Sequence, residues 1–389
     1  MYNILTLNKI SQSGLSKLDK IKYNYTDECE NPDGIIVRSA SMHNMNFPKS
    51  LLAVARAGAG YNNIPVDKCT ENGVCVFNTP GANANAVKEL VICSLFLSSR
   101  KIINGCNWCK TLNGVNEIGK EIESAKNNFS GPEIHGKTLG VIGLGAIGIK
   151  VCNSAVALGM NVIGYDPYLS DKAASMLDKT IVITSKLHEI FSESDYISLH
   201  APLTELTKNL INDETINSAK DGVRVLNFAR GELVDENAII SAIVKGKCSA
   251  YITDFPTEKM IGIDGIVTIP HLGASTPESE ENCAVMAVNQ IVEYIEKGNV
   301  INSVNFPCVS KAIEKDGQRI IIITKGDISE IIFSSFVKFG VNADNSTASI
   351  KKNVGYIIID TDKNVDLNIV DTIKSFENVI SVRVIDVKK

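Results

Sequence analysis

The pattern that most limits the fold lies in residues 138–148, TLGVIGLGAIG. There a short apolar run delivers the chain into Gly143-Leu144-Gly145-Ala146-Ile147-Gly148, and an amphipathic stretch follows to about Leu158. A G-x-G-x-x-G sequence alone is weak, because glycine-rich turns are common. Between a buried strand and a helix it is strong, since backbone N–H groups at the helix N-terminus can then face a pyrophosphate with no side chain intervening. Such a turn predicts a βαβ unit in a parallel sheet.

The surroundings repeat the same rhythm. From Lys137 to Pro270 the strand candidates are TLGVIG, NVIGYD, TIVIT, DYISLH, GVRVLNF, CSAYITD and GIVTIP, separated by helix-like stretches. This predicts an α/β, doubly wound Rossmann-type sheet. NVIGYD ends in Asp166, whose carboxylate can accept both ribose hydroxyls of NAD and would repel the 2′-phosphate of NADP. No arginine follows in Pro167-Tyr168-Leu169-Ser170 to reward that phosphate, so NAD is the expected cofactor.

With 389 residues the chain is long enough for two or three domains at roughly 150 residues each. Gly34 to Asn78 also alternates short apolar runs with helix-like stretches, and Asn85 to Ser99 reads as one helix. The asparagine-rich segment from Lys110 to Ser130 has no clear period and is expected to be an arm or loop. Thr276 is a good N-cap, with Pro277 at the first helical position and Glu278, Glu280 and Glu281 in an acidic first turn. A long helix should run to about Glu296 and end near Gly298. After a linker come RIIIIT, GDISEIIFSSFVKFG, NADNSTASI, NVGYIIID, VDLNIVDTIKSF and ISVRVI, a βαββαβ pattern expected to form a separate small domain.

Net charge of -5 without a basic block argues against a nucleic-acid partner. No stretch approaches the roughly 18 apolar residues of a membrane span, and the N-terminus MYNILTLNKISQSGL carries no export signal, so a cytoplasmic protein is expected. The ten cysteines are scattered through apparent strands and helices, as small buried hydrophobes in a reducing compartment would be. CNWC, Cys106 to Cys109, has no second pair or histidines at ligand spacing, and no metal site is expected.

Three charged groups fall at the ends of successive strands: Arg230 after GVRVLNFA, Glu258 just past CSAYITD, and His271 after GIVTIP. In an open α/β sheet, reacting groups gather at the strand ends near the nucleotide. Removing hydride from a C–OH carbon needs a base for the hydroxyl proton, and a histidine suits that task. A nearby carboxylate such as Glu258 would favour the imidazolium, and Arg230 can hold a substrate carboxylate by a charge-assisted fork. The set describes a 2-hydroxy-acid dehydrogenase.

At this point the sequence resembles the D-isomer-specific 2-hydroxy-acid dehydrogenases. The matching pieces span nearly the whole chain: GIIVRSAS (34 to 41), ARAGAGYNNI (55 to 64), VFNTPGANANAVKEL (76 to 90), GKTLGVIGLGAIG (136 to 148), GYDP (164 to 167), SLHAPLT (198 to 204), NFARGELVDE (227 to 236), DFPTE (254 to 258) and PHLGAST (270 to 276). The resemblance implies that Arg230 is the catalytic arginine, His271 the acid/base and Glu258 its partner, with Asp254 facing the nicotinamide amide. Gly143, Gly145, Ala146, Ile147, Gly148, Asp166, His200, Ala201, Pro202, Asn227, Ala229 and Gly273 would complete the cofactor site.

It also implies a split, flavodoxin-like substrate domain over residues 1–83 completed by 274–309, an NAD domain over 84–273, a linker over 310–317 and an ACT-like domain over 318–389. Arg38 and Arg56 sit at substrate-domain strand ends, and Ser39, Gly58 and Asn83 belong to the same motifs. Arg38 is the better candidate for a substrate phosphate, so a three-carbon phosphorylated acid fits better than lactate. A glyoxylate or hydroxypyruvate reductase, or an NADH-sensing binding protein on the same fold, are the alternatives.

In this family an ACT domain often pairs across subunits and binds serine. The loop Thr324-Lys325-Gly326-Asp327-Ile328 lacks the usual histidine and Asn-x-Pro-Gly-like turn, although Asn342 keeps one expected asparagine. Serine control and a mainly structural dimerisation role both stay open. A homodimer or homotetramer through the nucleotide domain, with residues 101–135 contributing, is the expected assembly. DFPTE is one residue shorter than the family's usual form, and Lys259 follows it where proline is usual.

Overall fold

The computed structural model describes residues 1–340, 345–361 and 365–388. Asn342 lies outside the described residues. The chain divides into two units, Met1–Asn83 with Pro277–Lys389, and Ala84–Thr276.

The second unit is built on a seven-stranded, wholly parallel sheet. Its order is Ile266–Thr268, Cys248–Thr253, Val223–Asn227, Tyr196–Leu199, Thr138–Ile142, Asn161–Tyr165 and Val182–Thr184. Helices cover both faces, which is why Tyr196–Leu199 is buried along its whole length. On one face Val87, Val91 and Leu95 of helix Ala84–Ser99 pack with Val151 and Cys152 of helix Ala146–Ala157. On the other, Ile190, Ile216 and Ile239 come from three further helices. The strand order reverses beside Thr138–Ile142, and in open α/β sheets that switch point is where ligands bind.

Residues 110–130, expected as an arm or loop, are largely helical: Ile102–Thr111 and Ile118–Ala125 are α-helices, with a 3-10 turn at Lys126–Phe129. The period was hidden because polar residues dilute it to Ile118, Ile122 and Ala125 at i, i+4 and i+7. Neither α-helix buries a residue, and Ile102, Val115, Ile118 and Ile122 are exposed.

The first unit holds a five-stranded parallel sheet in the order Tyr23–Thr26, Tyr2–Leu7, Gly34–Val37, Ala53–Arg56, Cys75–Phe77. One face of it is covered by the long helix Pro277–Lys297, whose Cys283, Ala287, Ile291 and Tyr294 join Ile4, Ile36 and Ala55 in one core. The helix ends at Gly298, which adopts φ +69°, a left-handed conformation that glycine tolerates without strain.

The C-terminal segment forms a four-stranded antiparallel sheet in the order Ser346–Lys351, Val354–Thr361, Gly317–Lys325, Val379–Val387. Helices Ser329–Lys338 and Leu367–Lys374 belong to it, and Ile320, Ile322, Ile357 and Ile359 pack with their Ile332, Phe336, Ile369 and Ile373. The alternate residues Ile321, Ile323, Tyr356 and Ile358 point the other way and enter the core around Tyr294 and Phe306. The sequence sets this segment apart as a domain; in the structure its second face is part of the first unit's interior. An unbroken IIII run is what burial on both faces requires.

Arg319 fastens the joint. Its side chain is fully buried, binds Asp360 through two bonds of 2.6 and 2.8 Å, and donates to the carbonyls of Lys297 (2.8 Å) and Lys311 (3.0 Å). Among the described residues, no helix is long and apolar enough to cross a membrane. Replacing Asp360 by Asn leaves a buried guanidinium without its counter-charge, and should lower the unfolding free energy by about 3 kcal/mol. Urea denaturation reads this; a loss under about 1 kcal/mol would mean the pair contributes little.

Candidate active site

The glycine-rich turn explains itself position by position. Gly143 has φ +95°, and a Cβ there would lie 2.6 Å from the His200 carbonyl carbon and 2.7 Å from the Ala201 nitrogen, so two strand ends meet at closest approach. A Cβ on Gly148 would collide with the Gly143 carbonyl oxygen, which fixes how tightly the helix packs on the strand. Gly145 differs: a Cβ on it would meet nothing within 4 Å. The protein has no need of glycine there, whereas a pyrophosphate resting on the N–H groups of Ala146, Ile147 and Gly148 does. The donor set and the open space fit a dinucleotide.

Asp166, half-buried just past strand Asn161–Tyr165, is held beside this turn. Its two carboxylate oxygens accept from the Leu144 and Tyr168 N–H groups, each at 2.9 Å, and both keep lone pairs for further donors. On the other side of strand Thr138–Ile142, just past strand Tyr196–Leu199, His200 Nε2 and Ser198 Oγ share a hydrogen bond of 2.8 Å, while Nδ1 is buried with no partner among the described residues. Burial pulls the imidazole down to about 4, so it is neutral at pH 7. Ala201 is buried and Pro202 is exposed.

The loop carrying Arg230 is shaped by Asn227. This fully buried carboxamide donates to the Arg230 carbonyl at 2.8 Å and accepts from Ala229 N at 3.2 Å. Arg230 is exposed, and its Nη1 donates to the Ala229 carbonyl at 2.6 Å. His271, also exposed, packs its ring on Phe255 with centroids 4.8 Å apart. A cavity of about 620 Å³ gathers Gly231, Glu232, Asp254, Phe255, Thr257 and His271 from three successive strand ends.

Asp254 is the buried carboxylate brought to this cavity with His271, beside Glu232 and Glu236. It is about 1% exposed; Oδ2 accepts from Gly273 N at 2.9 Å, and Oδ1 is buried without a partner among the described residues. Burial pushes its carboxyl above the usual range, against the opposing pull of the Gly273 N–H and the charge of His271. Glu258 is exposed, does not line the cavity, and makes no hydrogen bond or ion pair among the described residues. Its neighbours explain the outward placement: the Thr257 hydroxyl donates to Glu236, and Lys259 pairs with Glu236 at 3.1 Å. Phe255 carried no sequence signal, since only the fold reveals what its ring faces.

The first unit holds the substrate candidates. Arg38 leaves strand Gly34–Val37 and pairs with Glu280 at 2.6 Å. Arg56 ends the next strand; its Nε donates to the Arg38 carbonyl at 3.0 Å, and its guanidinium fills the place a Cβ on Gly58 would take. The Ser39 and Ala40 N–H groups donate to Asn8 Oδ1 at 3.0 and 2.6 Å, a contact the sequence did not suggest. Asn83 Oδ1 is buried and has no partner among the described residues.

Residues 95–273 match the D-isomer specific 2-hydroxyacid dehydrogenase, NAD binding domain family. Hydroxypyruvate reductase of Thermotoga maritima is 38% identical over 271 residues, covering 67% of this chain and 83% of the relative. D-3-phosphoglycerate dehydrogenase of Bacillus subtilis is 32% identical over 330 residues, covering 80% of this chain; the matched stretch spans 60% of the relative's own length. Among solved structures, NAD+-bound 3-phosphoglycerate dehydrogenase of Entamoeba histolytica superposes with a TM-score of 0.60 at 27% identity, covering 78% of this chain and 98% of that one.

Two measurements check the cofactor geometry. Gly145→Val should leave the thermal midpoint nearly unchanged while weakening NADH binding at least tenfold, about 1.4 kcal/mol; unaltered binding would refute the assignment. His200 is depressed in the folded state, so unfolding takes up a proton between its ordinary value of 6.5 and about 4. The stability it contributes is present above 6.5 and is lost as pH falls through that window. His200→Gln should flatten the stability-versus-pH slope there; an unchanged slope would contradict a neutral buried ring.

Proposed function

Because the chain belongs to the D-isomer-specific 2-hydroxyacid dehydrogenases and carries their NAD-binding domain, we propose that it oxidises D-3-phosphoglycerate to 3-phosphohydroxypyruvate, the first step of L-serine biosynthesis. The observation that carries the reading is the cavity joining His271 to the Gly231 and Asp254 loops. Held at the Gly143 to Gly148 turn and by Asp166, NAD would supply the two-electron acceptor for the hydride of the carbinol carbon. His271 takes the hydroxyl proton, and the Phe255 ring packs against its imidazole. Arg230 holds the carboxylate next to the reacting carbon, on a loop that Asn227 braces.

The family resemblance gives Glu258 the role of histidine partner, which requires the 254–259 loop to turn inward. Asp254 already interacts electrostatically with His271 and holds the backbone behind it through Gly273. Arg38 takes the substrate phosphate, with Ser39, Arg56, Gly58 and Asn83 around it. The exposed apolar side chains of the 102–125 helices support a homodimer through the nucleotide domain, and five buried cysteines support a reducing, cytoplasmic setting.

Hydroxypyruvate reduction is the second reading. It is favoured by the Thermotoga relative's high coverage and by the neutralisation of Arg38 by Glu280. NADH oxidation with 3-phosphohydroxypyruvate against hydroxypyruvate and glyoxylate separates the two: a strong phosphate preference that Arg38→Ala removes supports the first, and equal rates support the second. His271→Ala should lower turnover by roughly two to four orders of magnitude with NADH binding intact. Near-normal turnover would end the proposal.

A further inference from the structure

We propose that Glu280 is an intramolecular competitor of the substrate phosphate, occupying Arg38 until a doubly charged group displaces it; this rests on the reading of Arg38 given above. Glu280 Oε1 lies 2.6 Å from Arg38 Nη2, and the side chains are 43% and 38% exposed, so a ligand in solvent can reach the guanidinium. Arg56 braces the same corner by donating to the Arg38 carbonyl. Glu280 stands in the first turn of helix Pro277–Lys297, where the helix dipole favours a negative charge. It is therefore held where an incoming anion would bind.

An exposed ion pair of this kind contributes little, so displacing it is a small fixed cost. A phosphate ester carries close to two charges at neutral pH and three strong acceptor oxygens, enough to outbid one carboxylate for a guanidinium. An acid without phosphate never engages Arg38, and Glu280 leaves its binding untouched. Glu280 thus sets how tightly the phosphorylated acid is held without altering the reacting end.

The test uses inorganic phosphate as the probe, read by the rise of the thermal midpoint on titration of the full chain. Glu280→Gln should bind phosphate about two- to fivefold more tightly than wild type, the factor an exposed pair yields. Glu278→Gln removes an acid from the same helical turn and serves as the control, with phosphate affinity as in wild type. Adding Arg38→Ala to Glu280→Gln should abolish the gain. In kinetics, Glu280→Gln should lower KM for 3-phosphohydroxypyruvate by the same factor and leave KM for hydroxypyruvate alone. Unchanged phosphate affinity in Glu280→Gln, or an equal gain in Glu278→Gln, would overturn the proposal. A wild-type enzyme indifferent to substrate phosphate defeats the functional reading, while the inorganic phosphate titration still decides the role of Glu280.

Discussion

The first unit depends on how the C-terminal end of helix Pro277–Lys297 is satisfied. The last carbonyls of a helix have no partner within it, and here side chains from the second sheet take them. Arg383 donates to the Tyr294 and Ile295 carbonyls, Arg319 to that of Lys297, and the Tyr356 hydroxyl to that of Gly298. Two of the three donors are cationic, which suits the negative end of the helix dipole, and Arg383 also lies 4.8 Å over the Tyr294 ring. Hydrogen bonds of this charged type contribute roughly 1.5–3 kcal/mol each.

That capping changes what the C-terminal sheet can do. Its helix-covered face forms a core of its own, but its other face shares a core with the five-stranded sheet through Ile321, Ile323 and Tyr356. Moving it as a rigid body would expose those side chains and take the described donors from the Ile295, Lys297 and Gly298 carbonyls, while that of Tyr294 keeps the Gly298 N–H. The long helix that this sheet caps carries Glu280 at its opposite end. The helix runs from the buried Arg319 joint, at Lys297, to the Arg38 corner, at Glu280.

Much of this was legible in the sequence, for local physical reasons. The Gly143 to Gly148 turn, the parallel-sheet rhythm and the Thr276-Pro277 helix start depend on neighbouring residues, so spacing reveals them. The N-terminal strands were less visible, because Tyr23–Thr26 is an edge strand with two exposed residues and little apolar character. The 102–125 helices were hidden by their polarity. What the sequence could not supply was long-range pairing: Glu280 with Arg38, Asn8 under Ser39 and Ala40, Arg319 with Asp360. It read Glu258 from its strand end and from the family motif; in the structure that side chain is exposed, and its neighbours Thr257 and Lys259 both contact Glu236.

The nucleotide unit has a different economy of polar groups. Most buried polar atoms are paired, and one that is not costs about 1–3 kcal/mol. Asp254 Oδ1 and His200 Nδ1 both lack partners among the described residues, and both lie at the strand ends where the cofactor is expected. The raised carboxyl of Asp254 follows from that same burial. A ligand bringing an N–H donor to Asp254, such as the carboxamide that the family resemblance assigns to it, would remove a cost the free protein carries. Part of the affinity for such a ligand would then come from relief within the protein itself, and Gly145 keeps the approach open by adding no side chain.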